Sequence, residues 1–118
     1  MFTEILKKVV DNVDGGIGGL VMGLDGIAVD SYIRQAERLD ITTVGMEFSF
    51  ILTQVRKAAE SLQVGNCEEM TVKAERLLLV VRMLDDRYFC AVVLSPEGNF
   101  GKARYLMRLA TPRLTEQL

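Results

Sequence analysis

The stretch ITTVGMEFSFILTQVRKAAESL, Ile41 to Leu62, decides how this chain is read. It holds no proline, and its apolar residues recur at three- and four-residue steps, the period of a helix face. Val44, Phe48, Ile51, Val55, Ala59 and Leu62 fall on one side, which is predicted to pack on a sheet. At about 100° per residue, Met46, Phe50 and Thr53 lie nearly opposite. A helix that docks only on its own core has no use for Met and Phe on its outer side. The stripe Met46, Ser49, Phe50, Thr53, Lys57 and Glu60 is therefore the candidate interface, with two large apolar residues one turn apart inside a polar rim. The bland alternative is scattered exposed apolar residues, which are common on any surface.

The flanking segments build outward from this helix. Thr3 to Val13 is predicted as a short amphipathic helix with Thr3 as its N-cap, ended by Asp14-Gly15-Gly16. Gly18 to Leu24 and Ile27 to Tyr32 read as two strands around Asp25-Gly26, a strong hairpin signal. Arg34 to Asp40 is a polar connection, with Asp40, Thr42 or Thr43 available to cap the long helix. Gly65-Asn66 is predicted to stop that helix. Glu69 to Ala74, Arg76 to Leu84 and Tyr88 to Ser95 then form a three-strand meander, with Met70 and Val72 on one side of the first strand. Asn99 to Leu109 is a last helix with Phe100, Ala103, Leu106, Met107 and Ala110 toward the core, and Pro112 is expected to end it. The order α-β-β-α-β-β-β-α with short strand connections favours an antiparallel sheet in an α/β chain of the α+β sandwich kind.

The chain has 118 residues, enough for a single domain spanning 1–118 that needs no disulfide or metal to fold. Apolar residues make up 49%, rich for so small a domain, which favours further burial in an oligomer. Net charge is −2 with Lys and Arg spread along the chain, so nucleic acid is not an expected partner. The longest purely aliphatic run, Leu77 to Val81, is bracketed by Arg76 and Arg82 and falls far short of the roughly 20 residues of a membrane span. The first residues lack the basic start and apolar middle of a signal peptide, so the expected location is cytoplasmic. Cys67 and Cys90 then read as free thiols, Cys90 as core and Cys67 in a loop beside two glutamates whose charge disfavours a thiolate.

Little catalytic chemistry is available. Histidine is absent, which removes the commonest general base and metal ligand, and two isolated cysteines make no zinc spacing. Gly16-Ile-Gly18-Gly19 follows a helix and enters a strand, the reverse of a dinucleotide loop. Gly98-Asn-Phe-Gly101-Lys102 opens a helix, but its glycines are too close for a P-loop and Ala103 follows the lysine. Both read as turns. The pairs Glu68-Glu69 and Asp85-Asp86 read as solvated charges, since adjacent strand residues point to opposite faces. No cofactor and no enzymatic activity are expected.

Two stretches carry a resemblance. Gly18-Gly-Leu-Val-Met-Gly-Leu-Asp-Gly-Ile-Ala-Val-Asp30 is similar to the first hairpin of the Roadblock family of small-GTPase regulators and dynein light chains. Gly98-Asn-Phe-Gly-Lys-Ala-Arg-Tyr-Leu-Met-Arg108 is similar to the start of the last helix in its bacterial, MglB-like members. The resemblance implies a five-stranded antiparallel sheet between helices. It also implies a homodimer built by pairing of the long helices and of edge strands, with Glu69 to Ala74 as the matching edge. The alternating charges of that segment are also how a lone edge is protected. It further implies a small Ras-like GTPase as partner, whose nucleotide cycle is modulated in the GTPase-activating manner. No arginine finger is assigned, and Arg56 reads as a solvated or salt-bridged mid-helix residue. Met46, Ser49, Phe50, Thr53, Lys57, Glu60, Met70 and Val72 are the expected dimer or partner contacts. A scaffold dimer without effect on turnover is one alternative. A small-ligand sensor is another, although no convergent polar set lies among the apolar strands.

Overall fold

The protein was analysed as a computed structural model that describes residues 1–34 and 40–118. The polar connection read from Arg34 to Asp40 therefore lies, for residues 35–39, outside the described residues. The elements are α1 (Phe2–Asp11), β1 (Gly16–Gly23), β2 (Ala28–Ile33), α2 (Ile41–Leu62), β3 (Glu69–Lys73), β4 (Leu78–Met83), β5 (Tyr88–Leu94) and α3 (Phe100–Gln117). The expected element order is the observed one.

The described strands form one antiparallel sheet in the order β2-β1-β5-β4-β3. At the first hairpin Gly26 takes φ +84° and its N–H donates to the Gly23 carbonyl, while Gly23 N–H donates to Ile27. A left-handed residue at this point is what the Asp-Gly pair supplies. One apolar cluster lies under α1 and α3 and includes Leu6, Val10, Val21, Val80, Val92, Met107 and Leu114. The other lies under α2 and includes Leu20, Met22, Leu52, Leu79, Phe89 and Val93. The sheet is therefore apolar on both faces, with α1 and α3 on one and α2 on the other.

Four local expectations are corrected. Thr3 does not cap α1, whose N-cap is Met1; its hydroxyl instead donates to Asp30 Oδ2 at 2.8 Å. Gly65-Asn66 does not form the C-cap of α2, because Gln63 already takes the left-handed conformation at φ 55°. Pro112 does not end α3 but sits inside it. Proline removes one backbone donor, yet this turn is held by Leu114, only 1% exposed, and by Thr111 and Thr115, which donate to Met107 O and Thr111 O at 2.8 Å each. Phe100, placed toward the core from sequence, is 40% exposed.

Polar clamps tie helices to sheet edges. Tyr32 donates to Asp11 Oδ1 at 2.8 Å and Lys7 Nζ lies 3.0 Å from Asp11 Oδ2, joining α1 to β2. On the other side Arg82 pairs with Glu69 across β4 and β3 at 3.0 Å, and Arg104 of α3 also pairs with Glu69.

Gly16 is a point of closest approach. A Cβ there would stand 2.3 Å from the Val10 carbonyl oxygen, a backbone atom that cannot swing aside. Gly16→Ala is expected to lower unfolding stability by about 1–3 kcal/mol, read by urea titration. The Asp30 carboxyl is held below its ordinary value chiefly by the Thr3 hydroxyl bond. A depressed carboxyl contributes stability that is present above its unfolded pKa of about 3.9 and lost as pH falls through the folded value. Asp30→Asn should therefore be less stable than wild type at pH 7, with the gap closing at acid pH; a gap unchanged across that range would disprove the linkage.

Candidate interaction surface

The surface is built on α2. Asp40 starts the helix, accepting from Thr42 N–H at 3.1 Å and Thr43 N–H at 3.4 Å; the Thr43 hydroxyl, donating at 3.0 Å, is the main reason its carboxyl is held below the ordinary range, with these N–H bonds adding to it. The helix then lies against β1 and β2. Its buried positions are Ile41, Gly45, Ser49 and Leu52. Gly45 is the pivot, since a Cβ there would stand 2.8 Å from Met22 Cε and 2.9 Å from Leu20 Cδ2.

This orientation corrects the expected core face. The helix is turned by roughly a quarter turn, so the row predicted to be core is a flank. Val44, Phe48, Val55 and Ala59 are half-buried, Ile51 is 42% exposed and Leu62 71%. Counting apolar residues favoured that row because Gly45 and Ser49, which carry no apolar signal, make the closest approach. Ser49 is thus not part of an outer stripe: it is buried, and its hydroxyl donates to Met46 O at 2.7 Å, satisfying it locally.

The rest of the candidate stripe stands on the opposite flank. Met46 is 55% exposed and Phe50 67%. Thr53 is half-buried, while Lys57 and Glu60 are exposed. Thr53, Arg56, Lys57 and Glu60 line a cleft of about 520 Å³ together with Asn66 and Cys67, the residues just before β3. Ala59, from the Val44–Phe48 row, lines the same cleft. On β3, Met70 and Val72 are half-buried and rest on the cluster beneath α2. The structure so brings Thr53, Lys57 and Glu60 to one cleft and places Met46 and Phe50 further along the same flank. Missed from sequence is an exposed apolar set on and beside β2, Ile27, Val29 and Ile33. Their alternation with Asp30 and Tyr32, which turn toward α1, is the signal that could have found it.

The chemistry of this surface is that of contact. Among the described residues no three His, Cys, Asp or Glu side chains gather as a metal site needs, and no helix is long and apolar enough to cross a membrane. Cys90 is fully enclosed, and burial pushes its thiol up to about 12, leaving it inert. Cys67 is half-buried, with its Sγ 3.6 Å from Glu69 O.

Comparison with known proteins narrows the class. The chain is 38% identical to MglC from Myxococcus xanthus, across 99% of its length and 98% of that chain, with a TM-score of 0.72. It superposes on the Roadblock/LC7 domain from Streptomyces avermitilis with a TM-score of 0.85 at 16% identity, covering 98% of this chain and 95% of that one. Myxococcus xanthus MglB gives 0.82 at 12% identity, covering 97% and 91%. The latter two likenesses are of fold. No family model matches the chain, and no curated protein does.

Two substitutions two residues apart separate flank from core. Phe50→Asp is expected to change unfolding stability of the isolated chain by no more than about 0.5 kcal/mol. Leu52→Ala should cost about 2–5 kcal/mol. Equal losses in urea unfolding would place Phe50 in the core.

Proposed function

The chain belongs to the Roadblock/LC7 family, and from that footing we propose that it is a cytoplasmic homodimer that binds a small Ras-like GTPase and modulates its nucleotide cycle without catalysis of its own. The observation that carries the reading is the exposed Met46–Phe50 row on one flank of α2. An aromatic and a methionine held in water on a rigid helix favour association. At the end of the sheet β3 has an unpaired edge, because it bonds only to β4 among the described strands. Two copies meeting at that edge would extend the sheet and bring α2 toward α2, covering Met70 and Val72 together with exposed apolar residues of the helix. Thr53, Lys57 and Glu60 then fall at the margin of the joint surface, where polar rims belong.

Such a dimer presents a composite helical face to the switch segments of the GTPase. It acts by favouring one of their conformations, an effect of differential binding. Arg56 is not assigned to insert into a nucleotide site, since it is half-buried on α2, where it lines a cleft with the turn after β4.

The wild-type chain, 13.2 kDa, should sediment as a dimer, and Phe50→Asp should lose the dimer or the partner while its circular dichroism stays unchanged. Affinity capture with a GTP analogue or GDP should retain a small GTPase in one nucleotide state only. Its hydrolysis or exchange rate should change on addition of the wild-type chain and not of Phe50→Asp. Retention without any change in turnover would make the protein a scaffold, and recovery of the chain alone would overturn the GTPase reading.

A further inference from the structure

The layer opposite α2 carries a surface that the GTPase reading does not use. Between α1 and α3 runs a groove of about 250 Å³. Its lining is apolar, with Ile5 and Val9 from α1 and Leu106 and Leu109 from α3. Leu109 stands 55% exposed at its lip, so part of the apolar surface that the groove offers is left in water. The charged groups on the rim are all cations, beside the neutral amide of Asn12, whose Nδ2 donates to Lys8 O at 2.6 Å. Lys8 and Arg113 are exposed, and neither has an ion-pair partner within 4 Å among the described residues. No carboxylate lines the groove. The helix that forms one wall is itself basic, bearing Lys102, Arg104, Arg108 and Arg113 against Glu116 alone, in a chain whose net charge is −2.

We propose that this groove docks an acidic amphipathic helix of a partner protein. Aliphatic side chains spaced three and four apart on such a helix would enter between α1 and α3, the geometry of helix-in-groove recognition. Carboxylates on either side of that row would meet Lys8 and Arg113, whose unpaired charges supply attraction and exclude basic competitors. A recess between two helices takes up side chains that project, whereas a bilayer surface offers none to fill it. The groove lies across the sheet from α2 and away from the β3 edge, so its occupant adds to whatever binds there. The inference does not depend on the GTPase reading.

The test is selection from a random peptide library displayed on phage. The library is panned on the wild-type protein, with counter-selection on the Lys8→Glu/Arg113→Glu double variant. Enriched peptides should carry Asp or Glu around Leu, Ile, Met or Phe at helical spacing. A synthetic copy of the leading peptide should bind wild type about tenfold more tightly than the double variant. Leu109→Ser should weaken it, and Phe50→Asp should leave it unchanged, which separates this site from the α2 surface. All variants are checked by circular dichroism. Enrichment without acidic residues, equal binding to the double variant, or no enrichment at all would overturn the proposal. Sedimentation with phosphatidylserine vesicles that depends on Lys8 and Arg113, where no peptide is selected, would also overturn it and make the face a membrane contact.

Discussion

On β1, a methyl group at Gly19 would stand 3.2 Å from Val10 of α1, and one at Gly18 would stand 2.8 Å from Ile41 of α2. The strand is buried along its whole length and hydrogen-bonded on both edges, to β2 and to β5. Its glycines let two helices settle against opposite faces of one ribbon, and Gly45 repeats the device from the helix side. That close seating fixes the depth and rotation of α2. Rotation in turn decides which of its side chains are core and which are offered to other molecules. The interaction surface is thus a consequence of how near a helix can come to a strand without Cβ atoms in the way.

Much of this was legible beforehand. The bounds of α2, the Asp25-Gly26 hairpin and the three-strand meander follow from spacing and turn chemistry, which act over a few residues. What was illegible depended on distant contacts. The face of α2 was misjudged because hydrophobic periodicity counts side chains, and the true core line contains Gly45 and Ser49. Pro112 misled for the same reason: a local cost of one hydrogen bond was visible, and the burial of Leu114 against α1 and the sheet was not. Thr3 had a partner better than its own helix end, and that partner, Asp30, is on another element. Of the candidate site, Met46 and Phe50 were readable as outward-facing because they lie nearly opposite the Val44–Phe48 row, and a quarter turn of the helix still leaves both in water. The groove between α1 and α3 was not readable, because it exists only once two segments at opposite ends of the chain lie side by side.

The result is a sheet used as a partition. One side carries a long helix with two unlike flanks; the other carries a basic apolar groove. Both sides have apolar groups in water beside polar rims. Specificity in such a molecule comes from the spacing and charge of those groups on rigid elements rather than from any reactive atom. The Glu69 pairings with Arg82 and Arg104 hold α3 to the β3 edge, so the two sides share one frame at that edge.

The strand order has a further consequence, for synthesis. The hairpin of β1 and β2 and the meander of β3, β4 and β5 are each local, but they join only where β1 meets β5. A chain leaving the ribosome has α1, β1, β2 and α2 in hand long before Tyr88–Leu94 arrives. Until then Leu20, Val21 and Met22 sit on a strand with one open edge, and α2 has only part of a sheet beneath it. Closing so distant a pair costs loop entropy before any contact repays it. The core is completed only once β5 has been made, and the wait before it is when these apolar strands are most open to wrong partners.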